Sequence, residues 1–409
     1  MKLYLSGPPQ KKLYSKIQIT GSKSESNRLL LLQALYPNVE INNLSNSDDS
    51  QVMQQGLKIH DGVVDIHHAG TAMRFLTAYF ASQEGKEVTL TGSQRMTERP
   101  IKVLVEALKS LGAAISYERE EGYPPIRIKG KKLLKDSVSL PANISSQYIS
   151  ALILIAPSLS NGLQLELVGK ITSVPYIQMT LGLLNEIGVK TSFEGNRIRI
   201  YPKASVDVAT LTVESDWSSA SYFYSIVALS DFGAEIILSS YKRNSLQGDS
   251  VLAEIYRDLG VKTVFYENEI QLKKIGNPKS KTLNLDLANA PDIAQTIAVT
   301  CFGLGIGCNL TGLHTLKIKE TDRLEALDTE LSKLGADISV SDKSLTLSPG
   351  KNRVENVAID TYNDHRMAMA FAPLALKTPL YINDAQVVSK SYPDFWKDLK
   401  KLGIDIRKT

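Results

Sequence analysis

Residues 323–340 read RLEALDTELSKLGADISV, and the phrase they contain recurs along the chain. Leu324, Leu327, Leu331 and Leu334 keep helical spacing, and Gly335 follows at once. A glycine directly after such a stretch marks a helix C-terminus, because it enters the left-handed backbone region without strain. The same apolar-Gly ending stands at Leu111-Gly112, Ile187-Gly188, Leu259-Gly260 and Leu402-Gly403, giving spacings of 76, 72, 75 and 68 residues between successive glycines. Gln55-Gly56 reads as a degenerate earlier copy. After the glycine comes alternation, as in Ala113–Tyr117, Val189–Phe193 and Val261–Phe265, and the turn Glu194-Gly195-Asn196 leads into a second strand, Arg197–Tyr201. Before each amphipathic helix another strand is legible: Val88–Thr91, Leu163–Val168, Glu235–Ser239, Cys308–Thr311 and Leu380–Ile382.

Each unit carries a second helix of another kind. These begin near Lys23-Ser24, Gly70-Thr71, Ser145-Ser146, Asp216-Trp217, Pro291-Asp292 and Asp364-His365. Their bodies, such as Leu29–Leu35, Ile149–Ile155 and Met367–Leu376, are apolar all round and are expected to be buried on every face. Units of about 70 residues exceed the repeats of solenoids. Six of them in 409 residues predict an α/β protein of two domains with three units each.

Composition narrows the function classes. The formal net charge of +4 is too small to argue for nucleic acid or a membrane surface, so any cationic site must be local. Cys301 and Cys308 suit neither a disulfide framework nor a zinc set, and a reducing, cytoplasmic setting is expected. Gly7-Pro8-Pro9 stands where a signal peptide would need its apolar region, and the longest apolar run, Ile149–Ala156, is too short for a membrane span. His60, His67, His68 and His314 read as surface or packing histidines, and no metal-ligand spacing is present. The phosphate loop and the dinucleotide fingerprint are both missing, which disfavours nucleotide-driven chemistry.

Polar residues collect at the first turns of the buried helices, where free N–H groups and the helix dipole favour anions. Those starts hold Lys23, Ser24 and Arg28; Gly70, Thr71 and Arg74; Ser145, Ser146 and Gln147; Asp292; and Asp364, His365 and Arg366. Loops before the amphipathic helices add Arg95, Arg99, Ser173, Lys319 to Arg323, and Lys390. Singly, each has an ordinary explanation. Lys23-Ser24-Glu25-Ser26 and Ser145-Ser146-Gln147 could be caps, and Glu320 with Arg323 an exposed i, i+3 pair worth a few tenths of a kcal/mol. Asn363-Asp364-His365-Arg366, which opens a helix of Met, Ala, Phe and Leu, is harder to dismiss. Together, Arg and Lys interspersed with acids point to anionic substrates undergoing proton transfer.

Gly21-Ser22-Lys23-Ser24, Ala69-Gly70-Thr71-Ala72-Met73-Arg74, Lys319-Glu320-Thr321-Asp322-Arg323 and Asn363-Asp364-His365-Arg366-Met367-Ala368-Met369 resemble, in order and over nearly the whole chain, the 5-enolpyruvylshikimate-3-phosphate synthases. The resemblance implies the enolpyruvyl transferase fold, an inside-out α/β barrel of two domains, each of three βαβαββ units with buried central helices. It implies boundaries of 21–215 for one domain and 1–20 with 216–409 for the other, with the active site in the cleft between them. It also implies transfer of the enolpyruvyl group of phosphoenolpyruvate to the 5-hydroxyl of shikimate 3-phosphate, without a cofactor or metal, by a monomer open to inhibition by glyphosate. Carried over, shikimate 3-phosphate falls to Lys23, Ser24, Arg28, Ser145, Ser146, Gln147, Ser173, Asp292 and Lys319. Phosphoenolpyruvate falls to Lys23, Gly70, Arg99, Gln147, Arg323, Arg366 and Lys390. Asp292 would deprotonate the attacking hydroxyl and Glu320 would protonate the vinyl carbon, with Lys23, His365 and Lys390 in the remaining catalytic roles.

Three positions depart from the family pattern: His68 for the Asn before Ala-Gly-Thr, Thr315 for an Asn, and Trp217 for a small residue. Two rival readings remain. One is the related transfer to UDP-N-acetylglucosamine, which usually relies on a loop cysteine. The other is a non-catalytic anion-binding scaffold on the same repeat.

Overall fold

The computed structural model describes residues 1–7, 13–143, 145–169, 171, 174–350 and 352–409. The chain divides into two compact units, Gly21–Val213 and Met1–Thr20 with Glu214–Thr409. Glu214 and Ser215 go with the second. The Ser215 hydroxyl donates to the Ile19 carbonyl (2.5 Å), and the Glu214 carboxylate accepts from Lys242 N (2.8 Å) and Ser245 Oγ (2.5 Å).

Within the larger unit one grammar is used three times. Strand Thr282–Asp286 runs parallel to Gly307–Thr311, with the buried helix Ala294–Leu304 as the crossover between them. A parallel pair needs such a long connection, whereas the antiparallel strands that complete the sheet, Leu345–Leu347 and Ile338–Val340, need only a turn. A second sheet has the order Val261–Phe265, Glu269–Lys274, Glu235–Ser239, Tyr14–Ile17, and a third the order Val357–Ile359, Leu380–Ile382, Leu3–Ser6, Asp405–Lys408. Residues 1–20 thus supply one strand to each of two sheets whose other strands come from the far half of the chain.

The Gly21–Val213 unit has two four-stranded sheets of the same order, built on Asp61–Asp65 with Glu87–Thr91 and on Ser137–Pro141 with Leu163–Val168. Its third element is smaller among the described residues, a parallel pair of Val39–Asn42 and Ala209–Thr212. The degenerate first copy expected at Gln55-Gly56 is therefore not a helix ending in a left-handed glycine. Gly56 lies inside the helix Asp48–Leu57, where an added Cβ would stand 2.6 Å from Leu76 Cδ1. It is a close-packing glycine. The five full copies behave as expected, with φ of +112°, +77°, +84°, +92° and +82° at Gly112, Gly188, Gly260, Gly335 and Gly403.

The second set of helices forms the cores. All of Trp217–Leu229 is buried, and Ala294–Leu304 packs against both it and His365–Phe371. In the other unit Gly70–Ser82 packs on Ser146–Ile155, and Lys23–Leu35 touches both. The strands alternate accordingly, as in Leu163–Val168, where Leu163, Leu165 and Leu167 are buried and the residues between them exposed. A helix apolar on every side can carry polar groups only where its end reaches the core's edge. The fold therefore sends these groups to the first turns.

Trp217 is the largest such core residue. Its ring lies 5.0 Å from Tyr241 in edge-on contact, and also against Tyr224 and Phe265, while its indole N–H donates to Glu214 Oε1 (2.8 Å). The tryptophan that departs from the family pattern is thus a packed, fully satisfied anchor.

Candidate active site

In the larger unit, the starts of three buried helices and of one amphipathic helix bring their polar residues together. Arg323, the first residue of the helix Arg323–Lys333, is 1% exposed and is surrounded by carboxylates. Its Nε donates to Asp364 Oδ2 (2.6 Å), Nη1 to Asp292 Oδ1 (2.9 Å), and Nη2 to Glu320 Oε2 (2.7 Å) and Asp364 Oδ1 (3.5 Å). Burial works against its charge, but Asp364, Glu320 and Asp292 outweigh that and hold the guanidinium firmly protonated. The pair Glu320–Arg323 is no solvated i, i+3 contact.

Asp292 is the hub. Besides Arg323 it meets Lys319 Nζ at 3.5 Å and Arg366 Nη2 at 3.5 Å, and its backbone carbonyl accepts from Arg366 Nη1 (3.1 Å). Asp364 caps its own helix by accepting from Arg366 N (2.8 Å), and buried His365 places Nδ1 3.8 Å from Asp364 Oδ1. Lys390 Nζ donates to the carbonyl (2.7 Å) and Oδ1 (2.9 Å) of Asn363. The turn that presents these groups is strained, since Tyr362 and Asn363 both have positive φ, +52° and +58°. The Tyr362 hydroxyl anchors it by donating to buried Glu330 Oε1 (2.6 Å).

Asp249 and Asp216 are further acids in this unit. Burial first, then the charge of Asp292, pushes Asp249 up to about 7, with Arg366 opposing. The hub carboxylate is thus among the charges that Asp249 meets in this unit.

In the Gly21–Val213 unit the helix starts give a second constellation. Lys23 Nζ lies 3.3 Å from Asp49 Oδ2, and His68 Nε2 lies 3.5 Å from Asp49 Oδ1, so one buried carboxylate bridges a lysine and the histidine that replaces the family's Asn. His68, expected as a surface or packing residue, is half-buried against that acid. Arg28 is buried, and its donors go to Thr180 Oγ1 (2.8 Å), Ser24 O (2.8 Å), Ser150 Oγ (3.0 Å) and Tyr176 O (3.5 Å). Burial lowers it to about 10, with Tyr176 and Glu25 opposing. These four donations tie the Arg28 guanidinium to its own helix start and to the two helices beside it.

Gly70 opens its helix beside Arg99; an added Cβ would stand 2.5 Å from Arg99 Nη1. Gln147 Nε2 donates to Thr71 Oγ1 (3.1 Å), while Ser145 caps the next helix by accepting from Gln147 N (3.4 Å), and Ser146 is its first residue. Arg74 is spent on Pro100 O (2.9 Å) and Gly70 O (3.3 Å), and Arg95 pairs with exposed Glu98. Ser173 lies outside the described residues. Thr315 Oγ1 is buried and has no hydrogen-bond partner among them.

Sequence reasoning missed Asp49, Asp249 and the Glu330–Tyr362 anchor. The acids stand in Ser47-Asp48-Asp49-Ser50 and Gln247-Gly248-Asp249-Ser250, which read as ordinary helix openings. The available signal was an acid beside a helix start in a repeat whose other copies place functional groups there.

The arrangement can bind anions and move protons. Guanidinium and ammonium groups converge with carboxylates that are their present partners, and either kind can exchange that partner for substrate.

Comparisons with known proteins agree with this chemistry. The family described as EPSP synthase (3-phosphoshikimate 1-carboxyvinyltransferase) matches residues 55–399. A 3-phosphoshikimate 1-carboxyvinyltransferase of Bacteroides fragilis is 49% identical over 412 residues, covering 100% of this chain and 99% of the relative. One of Haemophilus influenzae is 35% identical over 425 residues, covering 94% and 96%. In structure, the chain resembles an EPSP synthase from Acinetobacter baumannii with a TM-score of 0.82 at 20% identity over the full length of both, a likeness that speaks to the fold.

Proposed function

From the premise that this chain belongs to the EPSP synthase family, we propose the following division of labour for the family's reaction. The protein is a 3-phosphoshikimate 1-carboxyvinyltransferase: it transfers the enolpyruvyl group of phosphoenolpyruvate to shikimate 3-phosphate and releases phosphate, a step of aromatic amino acid biosynthesis.

Asp292 takes the proton from the 5-hydroxyl as its oxygen attacks C2 of phosphoenolpyruvate. Glu320 gives a proton to C3, whose new C–H bond uses the alkene's π pair. The tetrahedral intermediate then expels phosphate, the C–O bond breaking with its electron pair, and C3 loses a proton to restore the double bond. His365 and Lys390 serve this second half, and Lys23 aids both. Arg323, Arg366 and Lys390 in one unit, and Lys23, Gly70, Arg99 and Gln147 in the other, are assigned to phosphoenolpyruvate. Asp292 and Lys319, with Lys23, Ser24, Arg28, Ser145, Ser146, Gln147 and Ser173, are assigned to shikimate 3-phosphate. The observation that carries the reading is the hub itself, a carboxylate within 3.5 Å of Arg323, Lys319 and Arg366 at the start of a buried helix. We take the enzyme to be a cytoplasmic monomer; the two buried free thiols, Cys301 and Cys308, are in keeping with a reducing compartment.

The test is phosphate release from phosphoenolpyruvate with shikimate 3-phosphate or, separately, UDP-N-acetylglucosamine as acceptor. Release with the first alone is expected. Release only with the nucleotide sugar would overturn the substrate, and release with neither would favour a binding scaffold.

Glyphosate is the proposed inhibitor, and Gly70 its point of sensitivity. In Gly70→Ala the new methyl must displace the Arg99 guanidinium. We expect KM for phosphoenolpyruvate to rise about tenfold, ~1.4 kcal/mol, inhibition by glyphosate to weaken more than that, and KM for shikimate 3-phosphate to hold. Unchanged inhibition would refute the assignment.

A further inference from the structure

Residues 360–364 are strapped to the helix Arg323–Lys333 at two points. Arg323 and Glu330 stand about two turns apart on that helix, ~10 Å along its axis, and so share a face. Arg323 holds the far end of the segment, its Nε donating to Asp364 Oδ2 (2.6 Å). Glu330 holds the near end. Its side chain is fully buried, Oε2 accepts from Asp360 N (3.2 Å), and Oε1 accepts from the Tyr362 hydroxyl (2.6 Å). Lys333 Nζ supplies countercharge, 2.8 and 2.9 Å from the two Glu330 oxygens and 2.9 Å from Asp360 Oδ2. Between the straps Tyr362 and Asn363 are both left-handed, and Asp364 N closes on Thr361 O (2.8 Å), the pattern of a type I′ turn. Such turns favour Gly, Asn and Asp. A tyrosine at the first central position is strained and has to be held there.

We propose that Glu330 and Tyr362 are a positioning pair for phosphoenolpyruvate, holding the turn whose next two residues orient Lys390, Arg323 and Arg366. This inference rests on the assignment of those three cations to that substrate above. Asn363 offers Lys390 Nζ two acceptors, its carbonyl (2.7 Å) and Oδ1 (2.9 Å). Asp364 offers Oδ2 to Arg323 Nε and Oδ1 to the backbone N–H of Arg366 (2.8 Å). All four acceptors lie within two residues of Tyr362, so a turn that relaxes at Tyr362 carries them with it. Burial first, then Glu330, pushes the Tyr362 hydroxyl up to about 12, which keeps it a donor throughout the neutral range. Neither member of the pair is assigned to a substrate or to the reacting atoms. Asp292 and Lys319, the groups of this unit assigned to shikimate 3-phosphate, stand on other segments and meet each other at 3.5 Å. Loosening the turn should therefore separate the two substrates.

The experiment compares Tyr362→Phe, Glu330→Gln and the double variant with the wild type, by steady-state phosphate release and by equilibrium binding of shikimate 3-phosphate. Tyr362→Phe removes one hydroxyl from a residue that is 39% exposed, so it is the variant expected to fold, which circular dichroism checks. It should raise KM for phosphoenolpyruvate about tenfold, the scale of one hydrogen bond to a buried carboxylate, and lower kcat, while Kd for shikimate 3-phosphate stays within about twofold. Glu330→Gln should show the same split between substrates. The double variant should lose no more than Glu330→Gln alone, because the two residues act through one bond. Unchanged kinetics in a Tyr362→Phe variant that is merely less stable would overturn the proposal. So would equal weakening of both substrates, or losses that add in the double variant. A wild type that releases no phosphate would overturn it at a different level, through the substrate assignment beneath it.

Discussion

Asp292→Asn is expected to lower turnover by about 10²–10⁴ while shikimate 3-phosphate still binds, because the amide keeps the shape and loses the base. The structure makes this a demanding prediction. Asp292 is paired with Arg323 (2.9 Å) and lies 3.5 Å from Lys319 and Arg366, so its removal also redistributes three cations. Asp364 and Glu320 remain on Arg323, so that guanidinium stays compensated and the helix starts stay in place. Next to burial, Asp292 is the strongest influence raising Asp249, so the variant should also shift Asp249 downward from about 7. The measurements are single-turnover phosphate release, equilibrium binding of shikimate 3-phosphate, and the carboxyl carbon resonance of Asp249 against pH. Unchanged turnover would end the general-base assignment. A loss of shikimate 3-phosphate binding as large as the loss of turnover would make Asp292 a binding group only.

Trp217→Ala is expected to cost about 3–5 kcal/mol, the range for emptying a large aromatic from a core. Trp217 is fully buried between Tyr241, Tyr224 and Phe265. Its loss also takes one donor from the Glu214 carboxylate, whose titration burial already raises and which the bonds from Ser245, Lys242 N and the indole N–H pull back. Trp217→Phe separates the two effects, refilling most of the ring volume and leaving about 1–2 kcal/mol for the missing hydrogen bond. Urea unfolding followed by circular dichroism reads both variants. A change below about 1 kcal/mol for the alanine variant would show that Tyr224 and Tyr241 close over the site without a cavity.

Much of the fold was legible because its signals are local. Leu163–Val168, Glu235–Ser239, Val261–Phe265 and Leu380–Ile382 were read to the residue, each an alternating or apolar run with polar or glycine borders. The starts of the buried helices were legible for a related reason, since a polar turn stands out on an apolar helix. What local pattern does not contain is partnership. Glu320 and Arg323 look like a surface pair until Asp292 and Asp364, 31 and 41 residues from Arg323, cover the guanidinium. Asp49 became visible only when the fold set Lys23 on one of its oxygens and His68 on the other. Nor did the periodicity show that Leu3–Ser6 belongs between Leu380–Ile382 and Asp405–Lys408.

That last placement constrains how the molecule is made. Tyr14–Ile17 waits for Glu235–Ser239, and Leu3–Ser6 waits for Leu380–Ile382, so two strands of the larger unit leave the ribosome long before their neighbours exist. At roughly 5–20 residues per second the longer wait lasts about 20–80 s. All of Gly21–Val213 emerges during that interval and can close its own contacts first. The two early strands must meanwhile stay unpaired, and a nascent chain holding two open strand edges is a natural client for a chaperone.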